Sequence, residues 1–293
     1  MKNSYLKKYW VTSLRQRNLS ENTIRSYLSI LKKYEKYIQG KRYTEVLPEE
    51  FQKISSIWQE KLTAETLNTN LSSLKAFYRY LYEQGHTLTD MREMIPKAKK
   101  TRRVLKKVLS VGQIRKLILS PDINIKRGYR DRCMMLVQYA AGIRSMELLG
   151  LKGTDINENR KTIIVTRKGG DCQEIPIGGL AMQYVMDYMA YVRPQFKPTA
   201  DHFWCNNRGG PMADGTYRKF LKRHMRSAHL EGFTSHDLRH AAATHMVRNG
   251  ADIQAVQFFL GHKSVKSTEI YVRGDQRGMR DFVEKMGIDE LSD

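Results

Sequence analysis

Long apolar runs, paired cysteines and metal-binding motifs are all missing from this sequence. No stretch approaches the roughly 18 consecutive apolar residues of a membrane span, and the chain opens into a charged segment without a secretory apolar block. Cys133, Cys172 and Cys205 are far apart and odd in number, so they predict neither a disulfide framework nor a zinc site. These absences indicate a soluble, cytoplasmic protein whose thiols are buried or lie singly at the surface.

Acidic residues are also few relative to basic ones. The chain has 51 Lys and Arg against 30 Asp and Glu, a net charge of +21. Such an excess favours a polyanionic partner, because basic side chains release the counterions of phosphates. Ribosomal proteins, membrane-surface proteins and nucleases share this property, so charge by itself indicates a class of partner and no activity.

The 293 residues suit about two domains. In residues 1–95, apolar side chains recur at spacings of three and four, as from Ile24 to Ile38, with Ser20 as a cap and Gly40 as a stop. This pattern predicts a unit of four or five helices. Its aromatic residues are interpreted as core, with a base-stacking surface as the alternative.

A basic linker is predicted at residues 96–107, which hold seven basic and no acidic side chains. Pro96 cannot continue a helix, and like charges extend a chain. We expect this linker to lie against DNA phosphates; a solvated linker without contacts is the alternative. The candidate DNA-binding residues in it are Lys97, Lys99, Lys100, Arg102 and Arg103.

A second domain is predicted at residues 108–274. We expect it to be mainly helical with a small antiparallel β-sheet. Residues 111–119 and 130–141 have helical patterns, and residues 161–166 and 173–177 have those of strands. The glycines between the strands predict a hairpin turn. The chain from residue 180 onward is mostly helical.

The segment 235–240, with sequence SHDLRH, is the most specific one. Thr234 and Asp237 have the spacing of a capping box, and Gly250 fits the end of the helix. His236 and Arg239 are three residues apart and share a helix face near its N-terminus, which suits a phosphate. The histidines here do not form HExxH, so no metal site is predicted.

The downstream residues resemble the tyrosine recombinase, or phage integrase, family. Its pattern HxLRH, T, G, LGH, T and Y is met in order by His236, Leu238, Arg239, His240, Thr244, Gly250, Leu260, Gly261, His262, Thr268 and Tyr271. Residues 109–273 resemble the family closely. Residues 1–95 share only the helical character of its core-binding, SAM-like domain.

Two upstream segments extend this resemblance. AGIRSMEL at residues 141–148 is similar to the family's first-arginine motif, with Arg144 as the arginine. Lys168, in the hairpin turn, is similar to the family's catalytic lysine, and Arg167 beside it leaves open which of the two acts. The resemblance therefore implies six catalytic residues: Tyr271, Arg144, Lys168, His236, Arg239 and His262.

The implied reaction is site-specific DNA recombination through a 3′-phosphotyrosyl intermediate and a Holliday junction, with no cofactor or metal. Arg144 and Arg239 would bind the non-bridging oxygens of the scissile phosphate while the tyrosine attacks it. His236 would be the base, since a phenol of pKa near 10 must lose its proton. Lys168 would protonate the departing 5′ oxygen, and His262 would bind the phosphate or orient its neighbours.

Two further surfaces are predicted. Residues 216–226 form a helix with a basic stripe that we expect to contact DNA in or across the major groove, a solvated basic face being the alternative. Its residues are Arg218, Lys219, Lys222, Arg223 and Arg226. The resemblance implies that the apolar tail 275–293 docks on a neighbouring subunit of a homo-tetramer on DNA; docking on its own domain is the alternative.

Two rival functions share parts of this pattern. A type IB topoisomerase would use the same chemistry as a monomer, and a DNA-binding regulator would have lost catalysis. The N-terminal helical unit, the apolar tail and the complete catalytic set favour a Xer-like or mobile-element recombinase. The sequence leaves open the recombination site, any accessory proteins, and whether the role is integration or resolution of DNA dimers.

Overall fold

The structure of the protein is a computed structural model, which describes residues 2–92, 95, 108–167 and 169–261. The chain divides into two compact units, Met1–Leu105 and Lys106–Asp293. Both are mainly helical, and the second also contains a small antiparallel sheet. This is the predicted fold class. Within the described residues, no helix combines the length and apolar character that a bilayer crossing needs.

The described part of the N-terminal unit contains four α-helices, in agreement with the helical pattern. They are α1 (Asn3–Gln16), α2 (Glu21–Glu35), α3 (Pro48–Lys61) and α4 (Ala64–Glu83). The Ser20 side chain accepts a hydrogen bond from the Thr23 N–H and begins α2, as predicted. The prediction that this helix runs to Gly40 was wrong: it ends at Glu35, because the chain turns and reaches positive φ at Gln39 and Gly40.

Aromatic side chains form the core of this unit. Trp10 stacks on Tyr27 and packs against Phe77, while Tyr34 stacks on Phe51. The Tyr34 and Tyr78 hydroxyls hydrogen-bond at 3.0 Å in the interior. The interpretation of these rings as core is confirmed, since the rings at positions 10, 34, 51 and 77 are at most 2% exposed.

The second unit begins with helices around a buried centre. They are α5 (Val111–Leu119), α6 (Lys126–Ala140) and α7 (Ser145–Leu149). Helix α5 has the predicted bounds, whereas α6 begins four residues before the predicted residue 130. The start of α6 was missed because Lys126 and Arg127 are charged, and residues 133–140 are all buried, which removes any one-sided apolar pattern.

Three antiparallel strands follow in the order β1-β2-β3: β1 (Ile156–Asn157), β2 (Thr162–Thr166) and β3 (Cys172–Pro176). The predicted hairpin is β2 and β3, with Thr166 opposite Cys172. At the turn, the Arg167 N–H donates to the Asp171 carbonyl at 2.7 Å. Strand β1 was not predicted, because two residues are too short for an alternating pattern.

Four helices complete the described part of the second unit: α8 (Gly179–Asp187), α9 (Asp214–Ser227), α10 (Ser235–Arg248) and α11 (Ile253–Phe259). The predicted basic helix is α9, and the segment SHDLRH begins α10. At the start of α10 the Thr234 N–H and hydroxyl donate to the Asp237 carboxylate, both at 2.7 Å. The spacing of these two residues therefore marks the helix start correctly.

Candidate active site

Arg144 lies at the N-cap of α7, directly after a left-handed turn at Gly142. Its side chain is 38% exposed, and its Nη1 donates to Glu147 Oε1 at 2.7 Å. Its backbone N–H donates to the other oxygen of the same carboxylate at 2.9 Å. Arg144 is thus anchored on one side and accessible to solvent on the other.

Arg239 approaches the same place from α10, but its side chain is buried. Its Nη1 and Nη2 donate to the carbonyls of Gly142 at 2.8 Å and Leu260 at 2.6 Å. Burial and the charge of Arg144 lower the pKa of Arg239 to about 10, against the attraction of Glu147. The group stays cationic at neutral pH.

Gly142 is required where it lies. Its φ is +57°, and an added Cβ would come within 3.1 Å of the Phe259 and Leu260 side chains. The left-handed turn aims its carbonyl at Arg239 and leads straight into Arg144. One glycine therefore brings together the two predicted arginines.

Glu147 connects these arginines, although no role was predicted for it from the sequence. Its side chain is 5% exposed, and Oε2 lies 2.7 Å from Arg167 Nη1 and 3.8 Å from Arg239 Nη1. Burial opposes its ionisation, but the Arg144 N–H and guanidinium and the charge of Arg167 outweigh burial and lower its pKa. Glu147 is a buried carboxylate shared by three arginines.

Arg167 is the third arginine, which was predicted only as the alternative to Lys168. It is buried and bonds to three different elements: Glu147 on α7, the Gln173 side chain at 3.0 Å on β3, and the Phe259 carbonyl at 2.7 Å at the end of α11. The bonds to Glu147 and to the Phe259 carbonyl are buried, and the bond to Gln173 is partly buried. Arg167 therefore belongs to the framework of the site.

The arrangement suits an anion. Three guanidinium groups surround one carboxylate, so two positive charges remain uncompensated, and Arg144 presents its accessible side to solvent. Arginine forks match the oxygens of a phosphodiester, and positive charge fixed in advance stabilises the charge that develops during its cleavage.

His236 lies in the first turn of α10 and is exposed, one helical turn before Arg239. The structure thus leaves His236 accessible, at the positive end of a helix, which favours anions. His245, further along α10, is buried and bonds to the Tyr139 hydroxyl at 2.8 Å. Burial and the charge of Arg248 lower the pKa of His245, which is a core residue.

The remaining predicted residues lie outside the described part of the chain. These are Lys168, His262, Tyr271, the linker residues Lys97, Lys99, Lys100, Arg102 and Arg103, and the tail 275–293. The structure does describe the residues that directly precede Lys168 and His262, which are Arg167 and Gly261. Gly261 has a φ of +64°, and an added Cβ would lie 2.7 Å from Arg167 Nε.

The five predicted basic residues of α9 are all exposed: Arg218, Lys219, Lys222, Arg223 and Arg226. Two of them have carboxylate partners. Arg218 pairs with Asp214 at 2.8 Å, one turn before it. Arg223 pairs with Asp131 of α6 at 3.2 Å. Among the described residues, no carboxylate forms an ion pair with Lys219, Lys222 or Arg226.

Cys133 and Cys205 are buried and Cys172 is exposed, all as free thiols. Within residues 2–92, 95, 108–167 and 169–261, histidine, cysteine and carboxylate side chains form no group of three that could hold a metal ion.

Comparison with known proteins decides the family. The model of the phage integrase family matches residues 107–277, and that of the phage integrase N-terminal SAM-like domain matches residues 6–85. Tyrosine recombinase XerD of Staphylococcus haemolyticus (strain JCSC1435) is 30% identical over 272 residues, which cover 90% of this chain and 92% of the relative. The chain belongs to the phage integrase family of tyrosine recombinases.

Solved structures agree with the fold of this tyrosine recombinase. A lambda integrase(75-356) dimer bound to a COC' core site is 19% identical with a TM-score of 0.72, over 90% of this chain and 96% of that one. A lambda integrase tetramer bound to a Holliday junction gives the same identity and TM-score, over 93% and 81%.

Two residues of the candidate site, Glu147 and Arg167, were missed or misplaced in the predictions from the sequence. Glu147 had a usable signal, because Arg144 and Glu147 are three residues apart, the spacing by which a carboxylate caps the helix start. Arg167 had no such signal. Its partners at positions 147 and 259 are far away in sequence, and a charged residue in a turn is normally exposed.

Proposed function

We propose that this recombinase cleaves and rejoins DNA at a specific site through a phosphotyrosyl intermediate, with Tyr271 as nucleophile. One observation carries the proposal: Arg144 and Arg239 meet at Glu147 with an excess of positive charge and one accessible guanidinium. A phosphodiester repels an incoming phenolate, and this repulsion grows as charge accumulates on the non-bridging oxygens. Fixed cations at those oxygens lower that barrier.

The remaining roles follow from the chemistry of the reaction. The tyrosine oxygen bonds to phosphorus as the bond to the 5′ oxygen breaks, which leaves a 3′-phosphotyrosyl link and a 5′-hydroxyl. His236 accepts the phenol proton, and Lys168 supplies a proton to the departing oxygen. His262 binds the phosphate or orients its neighbours. The covalent link conserves the bond energy, so a second 5′-hydroxyl can reverse the step on another duplex.

DNA binding is assigned to both units. The basic linker 96–107 and helix α9 carry the charge that binds phosphates. The N-terminal unit and the second unit each bind a part of the duplex. Phosphate contacts of this kind supply affinity and position without reading the sequence. Strand exchange requires two duplexes, so we assign the working assembly to a homo-tetramer on a Holliday junction. In this assembly each subunit's tail, residues 275–293, docks on a neighbouring subunit. Its place of action is the cytoplasm.

A nicked suicide substrate tests the nucleophile. Cleavage releases a short strand that cannot religate, so the covalent complex accumulates. Wild type should form it, Tyr271→Phe should bind the same DNA without forming it, and Tyr191→Phe, at an exposed tyrosine of the same unit, should behave as wild type. A covalent complex with Tyr271→Phe would refute the assignment.

The same proteins on a synthetic Holliday junction test the assembly. Four copies per junction are expected by light scattering, and the bonded peptide should contain residue 271. Two copies or one at saturation would contradict the tetramer and favour a topoisomerase-like monomer.

A further inference from the structure

The six implied catalytic residues do not include Arg167, yet Arg167 makes the most widely distributed contacts of the described site. Its side chain is 7% exposed and joins α7, β3 and the last turn of α11 through three hydrogen bonds. Gln173, which accepts from Arg167 Nε, also donates to the Phe258 carbonyl at 3.0 Å. A buried guanidinium is costly unless all its neighbours are arranged for it.

The charge of Glu147 explains the effect of the Arg167 guanidinium on the arginine cluster. Oε1 of Glu147 binds Arg144 at 2.7 Å, while Oε2 binds Arg167 at 2.7 Å and lies 3.8 Å from Arg239. The close ion pair at Oε2 is therefore with Arg167. Without Arg167, that oxygen would attract Arg239 or Arg144, and the cluster would hold one uncompensated positive charge where it now holds two.

We propose that Arg167 is a positioning residue: by neutralising Glu147 and holding the last turn of α11, it leaves the guanidinium of Arg144 available to the scissile phosphate. This inference rests on the proposed function. Arg167 itself faces away from solvent and is not assigned any contact with DNA. Burial lowers the pKa of Arg167, and the charge and hydrogen bond of Glu147 oppose this shift without cancelling it.

A neutral substrate separates this role from a general effect on folding. In a methylphosphonate, a methyl group replaces one non-bridging oxygen of the scissile phosphate and removes its negative charge. Loss of positive charge at the site should then matter far less. For Arg167→Met we expect single-turnover cleavage of the phosphodiester to fall on the order of 10²-fold, as for other small displacements of catalytic groups. On the methylphosphonate the loss should be under about tenfold.

Three further variants complete the experiment. Arg167→Lys keeps the charge beside Glu147 and should stay within about tenfold of wild type on the phosphodiester. Arg160→Met removes an exposed arginine from the turn between β1 and β2, paired with Glu174 at 3.3 Å, and should match wild type. In the Glu147→Gln background the carboxylate charge is gone, so adding Arg167→Met should cost little more than Glu147→Gln alone.

Equal losses on the two substrates would overturn the proposal, as would wild-type cleavage by Arg167→Met. If Arg167→Met does not fold, as judged by its thermal unfolding, the Arg167→Lys and double-variant comparisons decide the question. Should wild type form no covalent complex on either substrate, the proposed function fails; a failure confined to the Arg167 comparisons leaves that function standing.

Discussion

Two buried carboxylates of the second unit each gather three basic side chains, and they do so differently. Glu147 holds Arg144, Arg167 and Arg239. Asp131 on α6 holds Arg130 at 2.6 Å, Arg223 at 3.2 Å and His224 Nε2 at 3.4 Å. The first cluster lies at the candidate active site, and the second lies behind the basic helix α9.

The difference lies in where the partners' other hydrogen bonds go. Around Asp131, Arg130 is buried and also donates to the Cys205 carbonyl at 2.9 Å, while His224 bonds to the Ser120 hydroxyl at 3.1 Å. These contacts fix α9 to the core and leave Arg223 outside, 65% exposed. Around Glu147 the two buried arginines hold backbone carbonyls, and Arg144 faces solvent from the cap of a short helix. A similar charge cluster thus supports a basic surface in one case and lies at the candidate active site in the other.

The largest difference between the two clusters is expected when each carboxylate is removed in turn. Glu147→Ala and Asp131→Ala should each lower the free energy of unfolding by about 3–5 kcal/mol, because buried cations lose their partner. Only Glu147→Ala should also lower the cleavage rate of bound suicide DNA. Denaturant unfolding and single-turnover cleavage at saturating DNA measure the two effects. Equal cleavage rates for the folded variants would mean that the clusters do not differ in function.

Acid offers a smaller, reversible way to remove the charge of Glu147. Its folded-state pKa lies below the ordinary 4.5, so its ionised form stabilises the fold above pH 4.5, and that contribution is lost as pH falls through the lowered pKa. The stability difference between wild type and Glu147→Gln should therefore be constant near neutral pH and shrink below pH 4.5. Urea unfolding at several pH values measures it, and a difference that grows on acidification would contradict the sign.

The smallest expected effect is on the salt dependence of DNA binding by α9, and it tests how the Asp131 cluster acts on that helix's surface. Lys222→Ala should reduce the slope of log binding constant against log salt by about 1, as expected for one phosphate contact. Arg223→Ala should reduce it less, because Asp131 already compensates part of the charge of Arg223. Titrations of one DNA duplex at several salt concentrations give both slopes, with Arg160→Ala as control. A larger change for Arg223 would show that the Asp131 pair opens on DNA.

Much of the fold could be predicted because its signals are local. Helix α5, the hairpin β2–β3, the cap at Ser20 and the start of α10 all depend on residues within a few positions of one another. Errors arose where local signals were weak, as at the charged start of α6 and in the turn before Gly40. Arg144 and Arg239 were predicted to act together, and the structure brings both to Glu147.

The sequence by itself determined the helical character of both units, the excess of positive charge, and the ordered residues that indicate the family. The tertiary structure decided which arginine is exposed and which are buried, and which carboxylate holds them. The physical reason is that the charge and solvation of a guanidinium depend on neighbours that folding brings together from distant positions, such as 142, 147, 167, 239 and 260. No spacing along the chain encodes those contacts.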